Sequence, residues 1–155
     1  MYLKTNPNKE YDLHYSEKTY WNLIPKGAKV AIFVHGNYEW PDYPIYGLLR
    51  KEILTYTDYD VVIMIDYHRQ SGMLLHLDAN QVYSNLQVLG RELTYLTRQL
   101  MISRSIPAKN FYQICFSVGC ILSRMASMWA RERYNFKIGR ITIMEYVTVV
   151  SGNET

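Results

Sequence analysis

Strand-like and helix-like stretches alternate along most of this chain, and that alternation restricts its fold more than any other feature. Residues 29–34 (KVAIFV) form a short apolar run ending at His35-Gly36, and residues 59–66 (YDVVIMID) form a second. Runs this short and rich in β-branched residues read as buried strands. Between them, residues 41–56 carry Ile45, Leu48, Leu49, Ile53 and Leu54 at helical spacing. Residues 78–104 read as a long helix with an apolar stripe of Val82, Leu86, Leu89, Leu93, Leu96 and Leu100. Asp78 stands at its cap position, and Ile106-Pro107 closes it. A third strand over residues 111–116 (FYQICF) leads into a helix over 117–133, with Ile121, Leu122, Met125 and Trp129 on one face. Residues 137–145 (KIGRITIME) open a fourth core strand. Parallel neighbours need crossovers of about a dozen residues or more, which such helices supply. The expected class is α/β: one domain over residues 1–155, with a mainly parallel sheet and helices on both faces. Upstream, residues 2–5 and 11–15 suit edge strands, including antiparallel ones.

Composition narrows the function classes. With 48% hydrophobic and 20% charged residues the chain is ordinary globular material. A net charge of +3 without a Lys/Arg cluster argues against nucleic acid as a partner. No segment is long and apolar enough for a transmembrane helix. The first residues (MYLKTNPNKEYDL) lack the apolar core of a signal peptide, so a chain starting at Met1 is expected in the cytoplasm. The 15 tyrosines suit a half-buried or binding surface but name no partner. The only cysteines, Cys115 and Cys120, read as reduced, mostly buried thiols, because a strand-to-helix junction rarely offers disulfide geometry. No CxxC or Cys/His cluster suggests a metal, and no organic cofactor is implied.

The junction Cys115-Phe116-Ser117-Val118-Gly119 puts a serine where a core strand passes into a helix. A sharp turn there lifts the hydroxyl above the carboxyl end of the sheet, over the positive end of a helix dipole. Neighbours two residues away must be small; Gly119 is glycine and Cys115 is small. Taken alone, Ser117 reads as an ordinary helix cap sooner than as a nucleophile. The strand end at Phe33-Val34-His35-Gly36-Asn37 has a comparable double reading. It is a structural histidine with a turn glycine, or the second half of an oxyanion hole, with the main-chain N–H groups of Asn37 and Val118 as donors.

Together these segments resemble the pancreatic lipase family, which includes secreted lipases and phospholipases A1. YLKTNP resembles the family's opening strand, AIFVHG its oxyanion strand, and VVIMIDYHRQSG the strand ending in Asp-Trp, with Tyr67 in place of tryptophan. ANQVYSNLQVLGRELTYL resembles the following helix, with Asn85 and Gly90 in the expected places. IPAKNFYQICFSVGCILS resembles the segment through the nucleophile, and KIGRITIME the next strand. The resemblance implies the nucleophile-bearing part of an α/β-hydrolase fold, an extracellular location and cleavage of acylglycerol or phospholipid esters. By the same token Ser117 is the nucleophile, Asn37 and Val118 are the oxyanion donors, and Glu145 holds the position of the triad acid, where the family has aspartate.

The resemblance also exposes a gap. In these enzymes the order is serine, acid, histidine. Here His14, His35, His68 and His76 all precede Ser117. The chain is therefore expected to be a truncated lipase-like domain, inactive as it stands. The alternative is a non-catalytic lipase-fold module that binds a lipid or a protein. A sheet edge left uncovered would favour an edge-to-edge homodimer.

Overall fold

The computed structural model describes residues 1–13, 18–37, 39–67 and 79–144. These residues form a mixed α/β unit whose sheet has the strand order β1-β3-β2-β4-β5. Its strands are β1 (Tyr2–Leu3), β2 (Val30–Val34), β3 (Val61–Ile65), β4 (Phe111–Phe116) and β5 (Arg140–Met144). Pairing is parallel throughout except for β1, which lies antiparallel on β3. The helices are α1 (Pro44–Tyr56), α2 (Ala79–Ser103) and α3 (Val118–Tyr134).

The strands explain their own burial. All five residues of β2 are buried, as a central strand covered on both faces requires. Val30, Ile32 and Val34 belong to a core shared with Leu86, Leu93 and Leu100 of α2 and with Leu122, Met125 and Ala126 of α3. The alternate residues Ala31 and Phe33 belong to a second core with Tyr46, Ile53 and Leu54 of α1. Strand alternation thus assigns one face of the sheet to α1 and the other to α2 and α3. α2 and α3 meet closely at Gly90, where a β-carbon would stand 2.9 Å from Met125 Cβ. One turn along α2, the Thr94 hydroxyl lies 2.8 Å from the carbonyl oxygens of both Gly90 and Ala126. Among the described residues β5 is the outermost strand on its side of the sheet, and Ile143 and Met144 are exposed.

The alternating pattern is realised with small shifts. α1 starts at Pro44 rather than residue 41, since a proline is accommodated in the first helical turn. Residues 11–13 form no strand, and residues 14 and 15, like Asp78, lie outside the described residues. Their neighbour Tyr11 is held by a hydrogen bond from its N–H to the Met1 carbonyl (2.9 Å), a contact outside any sheet ladder. Two 3-10 segments, Lys18–Leu23 and Ala108–Asn110, are too short to leave a periodic signature.

Three buried phenols tie stability to pH. Burial pushes the Tyr2 hydroxyl up to about 12, and the adjacent Glu10 carboxylate adds to the shift. Burial, then Glu39, raises Tyr46 and Tyr67 in the same direction. The folded state holds these phenols neutral, whereas unfolded tyrosine ionises near 10. Their stabilising contribution is therefore complete below about pH 10 and is lost as pH rises toward the folded values. The buried three should ionise only together with unfolding. Phenolate absorbance and circular dichroism recorded through pH 9–13 test this. One smooth titration of all tyrosines near 10, with the fold intact, would contradict it.

Candidate functional site

The turn between β4 and α3 holds a serine at positive φ, one of three non-glycine residues with positive φ in the described chain. Ser117 has φ 49° and ψ −123°, outside the conformations that a side-chain-bearing residue normally takes. It is partly exposed and stands at the N-cap of α3, yet its hydroxyl makes no capping hydrogen bond. The side-chain capping reading is thereby overturned: Ser117 occupies the cap position, but its hydroxyl makes no bond to the helix amides. Such a conformation costs about 1–3 kcal/mol and persists only where the surroundings enforce it.

Two constraints enforce it here. The first is Gly119, where a β-carbon would lie 2.3 Å from the His35 carbonyl oxygen and 2.5 Å from that of Val34. The start of α3 is thus pressed against the end of β2, and only glycine fits between them. The second is a disulfide between Cys115 and Cys120, which corrects the expectation of free thiols. The sharp turn at Ser117 folds the chain back within five residues and leaves the two Cα atoms 4.8 Å apart, inside the range a disulfide spans. An ordinary strand-to-helix junction would keep them farther apart. Closing so short a loop restricts the unfolded chain little, for a stabilisation of about 2 kcal/mol.

The β2 loop reaches the same end of the sheet. Val34 pairs with Cys115 in register, and a β-carbon on Gly36 would lie 3.0 Å from the Phe116 ring. His35-Gly36-Asn37 and Phe116-Ser117-Val118 are therefore neighbouring turns at the carboxyl end of the sheet. His35 is buried and stacks on Tyr67, with ring centroids 4.2 Å apart. Its Nδ1 lies 2.8 Å from the Gly36 carbonyl, which can only accept, so the proton sits on Nδ1. Its Nε2 accepts from the Tyr67 N–H at 3.5 Å, and the Tyr67 hydroxyl donates to the His35 carbonyl. With both ring nitrogens engaged inside the protein, His35 is an anchor for the loop and not a base for Ser117.

Sequence reasoning missed Glu39. Its Oε2 accepts a hydrogen bond from the Gly36 N–H at 2.7 Å and another from the Tyr46 hydroxyl. The only available signal was an acid three residues after a strand-end glycine, a spacing common in unspecialised turns. Asn37 is partly buried, and its Oδ1 has no hydrogen-bond partner among the described residues. Beside these turns, Phe33, Ile45, Tyr46, Leu49, Phe116 and Met144 line a largely apolar cavity of about 330 Å³, with Glu39 and Glu52 at its wall.

Of the site residues expected from sequence, Ser117, Val118 and Asn37 share this end of the sheet. Glu145 follows β5 directly but lies outside the described residues, as do His14, His68 and His76. Among the described residues no three His, Cys, Asp or Glu side chains converge to hold a metal ion, and no helix is long and apolar enough to cross a membrane. No protein-family model matches the chain, and no curated protein matches it.

Proposed function

We propose that this chain is the nucleophile-bearing part of a lipase-like carboxylic ester hydrolase of the pancreatic-lipase type. Ser117 is the acyl-accepting residue, and the main-chain N–H groups of Asn37 and Val118 receive the oxyanion. The observation that carries the reading is the positive-φ serine between a core strand and a helix. A strained turn of that kind presents a nucleophile at the top of an α/β sheet. The neighbouring apolar cavity, at the small end of the size range of ligand sites, supports an acyl chain as the group recognised. The disulfide supports an oxidising, extracellular setting. Glu145 is the proposed acid, and β5, outermost among the described strands, suits pairing with a second copy.

The missing element is the base. No histidine follows Ser117 in these residues, and a serine without a base is a weak nucleophile at neutral pH. The chain by itself is therefore expected to acylate very slowly. Added imidazole should supply the base. Incubation with an alkyl fluorophosphonate, followed by peptide mass spectrometry, should show modification of Ser117 that rises about 100-fold with imidazole and is absent from Ser117→Ala. Modification elsewhere only, or no modification of Ser117 with imidazole present, would refute the assignment.

One observation favours a second reading, a non-catalytic lipid- or protein-binding module. The Glu39 carboxylate already occupies the Gly36 N–H, and its charge opposes an oxyanion forming on the same loop. If that reading holds, Ser117 stays unmodified with imidazole in both the parent chain and Glu39→Gln.

A further inference from the structure

We propose that the Cys115–Cys120 disulfide is a positioning device for Ser117. By fastening the penultimate residue of β4 to the first turn of α3, it holds the serine backbone in its positive-φ conformation. Its consequence for chemistry rests on the reading of Ser117 as a nucleophile; its consequence for the backbone does not.

Several features point the same way. The chain has only two cysteines, and both are spent on the six residues that contain the strained serine. Both are buried among core residues, Cys115 opposite Val34 in β2 and Ile143 in β5. Disulfides that stabilise a whole domain do so best by closing long loops, and this one closes a very short loop. The start of α3 also lacks the usual fastenings. Ser117 makes no capping bond, and no acidic residue occupies the first turn. The hydrogen bond from the Cys120 N–H to the Ser117 carbonyl, at 2.9 Å, closes that turn, and the disulfide sits on the same residue. Ser117, Val118 and the clamp are therefore mechanically one unit. A left-handed serine without a cap relaxes unless something holds it, and the residues that bracket it are covalently joined.

The clamp also makes the turn sensitive to redox conditions. A dithiol reductant breaks the Sγ–Sγ bond by delivering two electrons and two protons. Two thiols remain on the protein, and the reductant is left as its cyclic disulfide.

The test is residue-resolved amide hydrogen exchange on the full chain in three forms: oxidised, opened by dithiothreitol, and Cys115→Ala/Cys120→Ala. The dithiol-opened sample serves if the double variant does not fold. The expected result is exchange faster by about tenfold or more at residues 118–121, with β2, β4 and the rest of α3 as protected as in the oxidised chain. A purely global role would speed exchange evenly along the chain, and that pattern would overturn the proposal. So would unchanged exchange at residues 118–121. Fluorophosphonate labelling of the same samples separates this proposal from the function. Local acceleration without Ser117 labelling in the oxidised, imidazole-supplied chain keeps the clamp and removes the nucleophile. Labelling with unchanged exchange keeps the nucleophile and removes the clamp.

Discussion

Replacing Gly119 with alanine should lower the stability of the chain by about 3 kcal/mol, the upper end of the usual cost of overpacking. The atoms that a new β-carbon would meet are the carbonyl oxygens of His35 and Val34, at 2.3 and 2.5 Å. Neither is the end of a flexible side chain. Val34 ends β2, whose residues pair with β3 on one side and β4 on the other, and His35 follows it directly. Relief requires α3 to lift away from the sheet, and α3 is bound to β4 by the turn and the disulfide. The gain in helix propensity from glycine to alanine, about 1 kcal/mol in a helix interior, does not offset this. A fall in Tm of about 10 °C would accompany the change in a domain of this size. Thermal and urea unfolding read it directly. A loss below about 1 kcal/mol would mean that the end of β2 and the start of α3 are not in this contact.

Two residues earlier, the opposite sign is expected. Ser117→Gly should stabilise the chain by about 1 kcal/mol, the strain relieved at positive φ less the extra freedom that glycine gives the unfolded chain. No capping bond is lost, because the Ser117 hydroxyl makes none. Ser117→Ala is the control: it removes the same hydroxyl but keeps the β-carbon, and with it the strain. Alanine should leave stability within about 0.5 kcal/mol of the parent, while glycine raises Tm by about 3 °C. A destabilising glycine, equal to that of an ordinary helix start, would show that the turn is relaxed. In the proposed function both variants lose acylation, so stability and chemistry part at this residue. Selection for stability alone would favour glycine there.

What the sequence displayed best was periodicity. β4 was legible residue for residue because FYQICF is bounded by a turn on one side and the serine on the other. The apolar stripe from Val82 to Leu100 located α2 in the same way. Such signals are written into every turn of an element, so local pattern suffices. The site was legible only in part. That Ser117 and the His35-Gly36-Asn37 loop lie together depends on β2 and β4 being neighbours, and sequence order does not state which strands pair. The disulfide was misread for a related reason. Five residues of ordinary strand and helix would separate the cysteines too widely, and only the positive φ at Ser117 brings them together. A strained dihedral leaves no composition signal in a residue with a side chain. The role of Glu39 depends on a hydrogen bond to Gly36 and on Tyr46 of the next helix, a tertiary arrangement that an isolated glutamate does not announce.

The most direct test of the proposed function concerns the oxyanion receptor. The chain is phosphonylated in imidazole, freed of excess reagent, and its amide spectrum compared with that of the untreated protein. If Ser117 is the nucleophile, the phosphonyl oxygen sits between the N–H groups of Asn37 and Val118, within about 2.7–3.1 Å of each. Both amide protons should then move downfield together, and neither should move in Ser117→Ala treated identically. An adduct on Ser117 that leaves both amides unshifted, or shifts only one, would contradict the oxyanion hole and with it the ester-hydrolase reading.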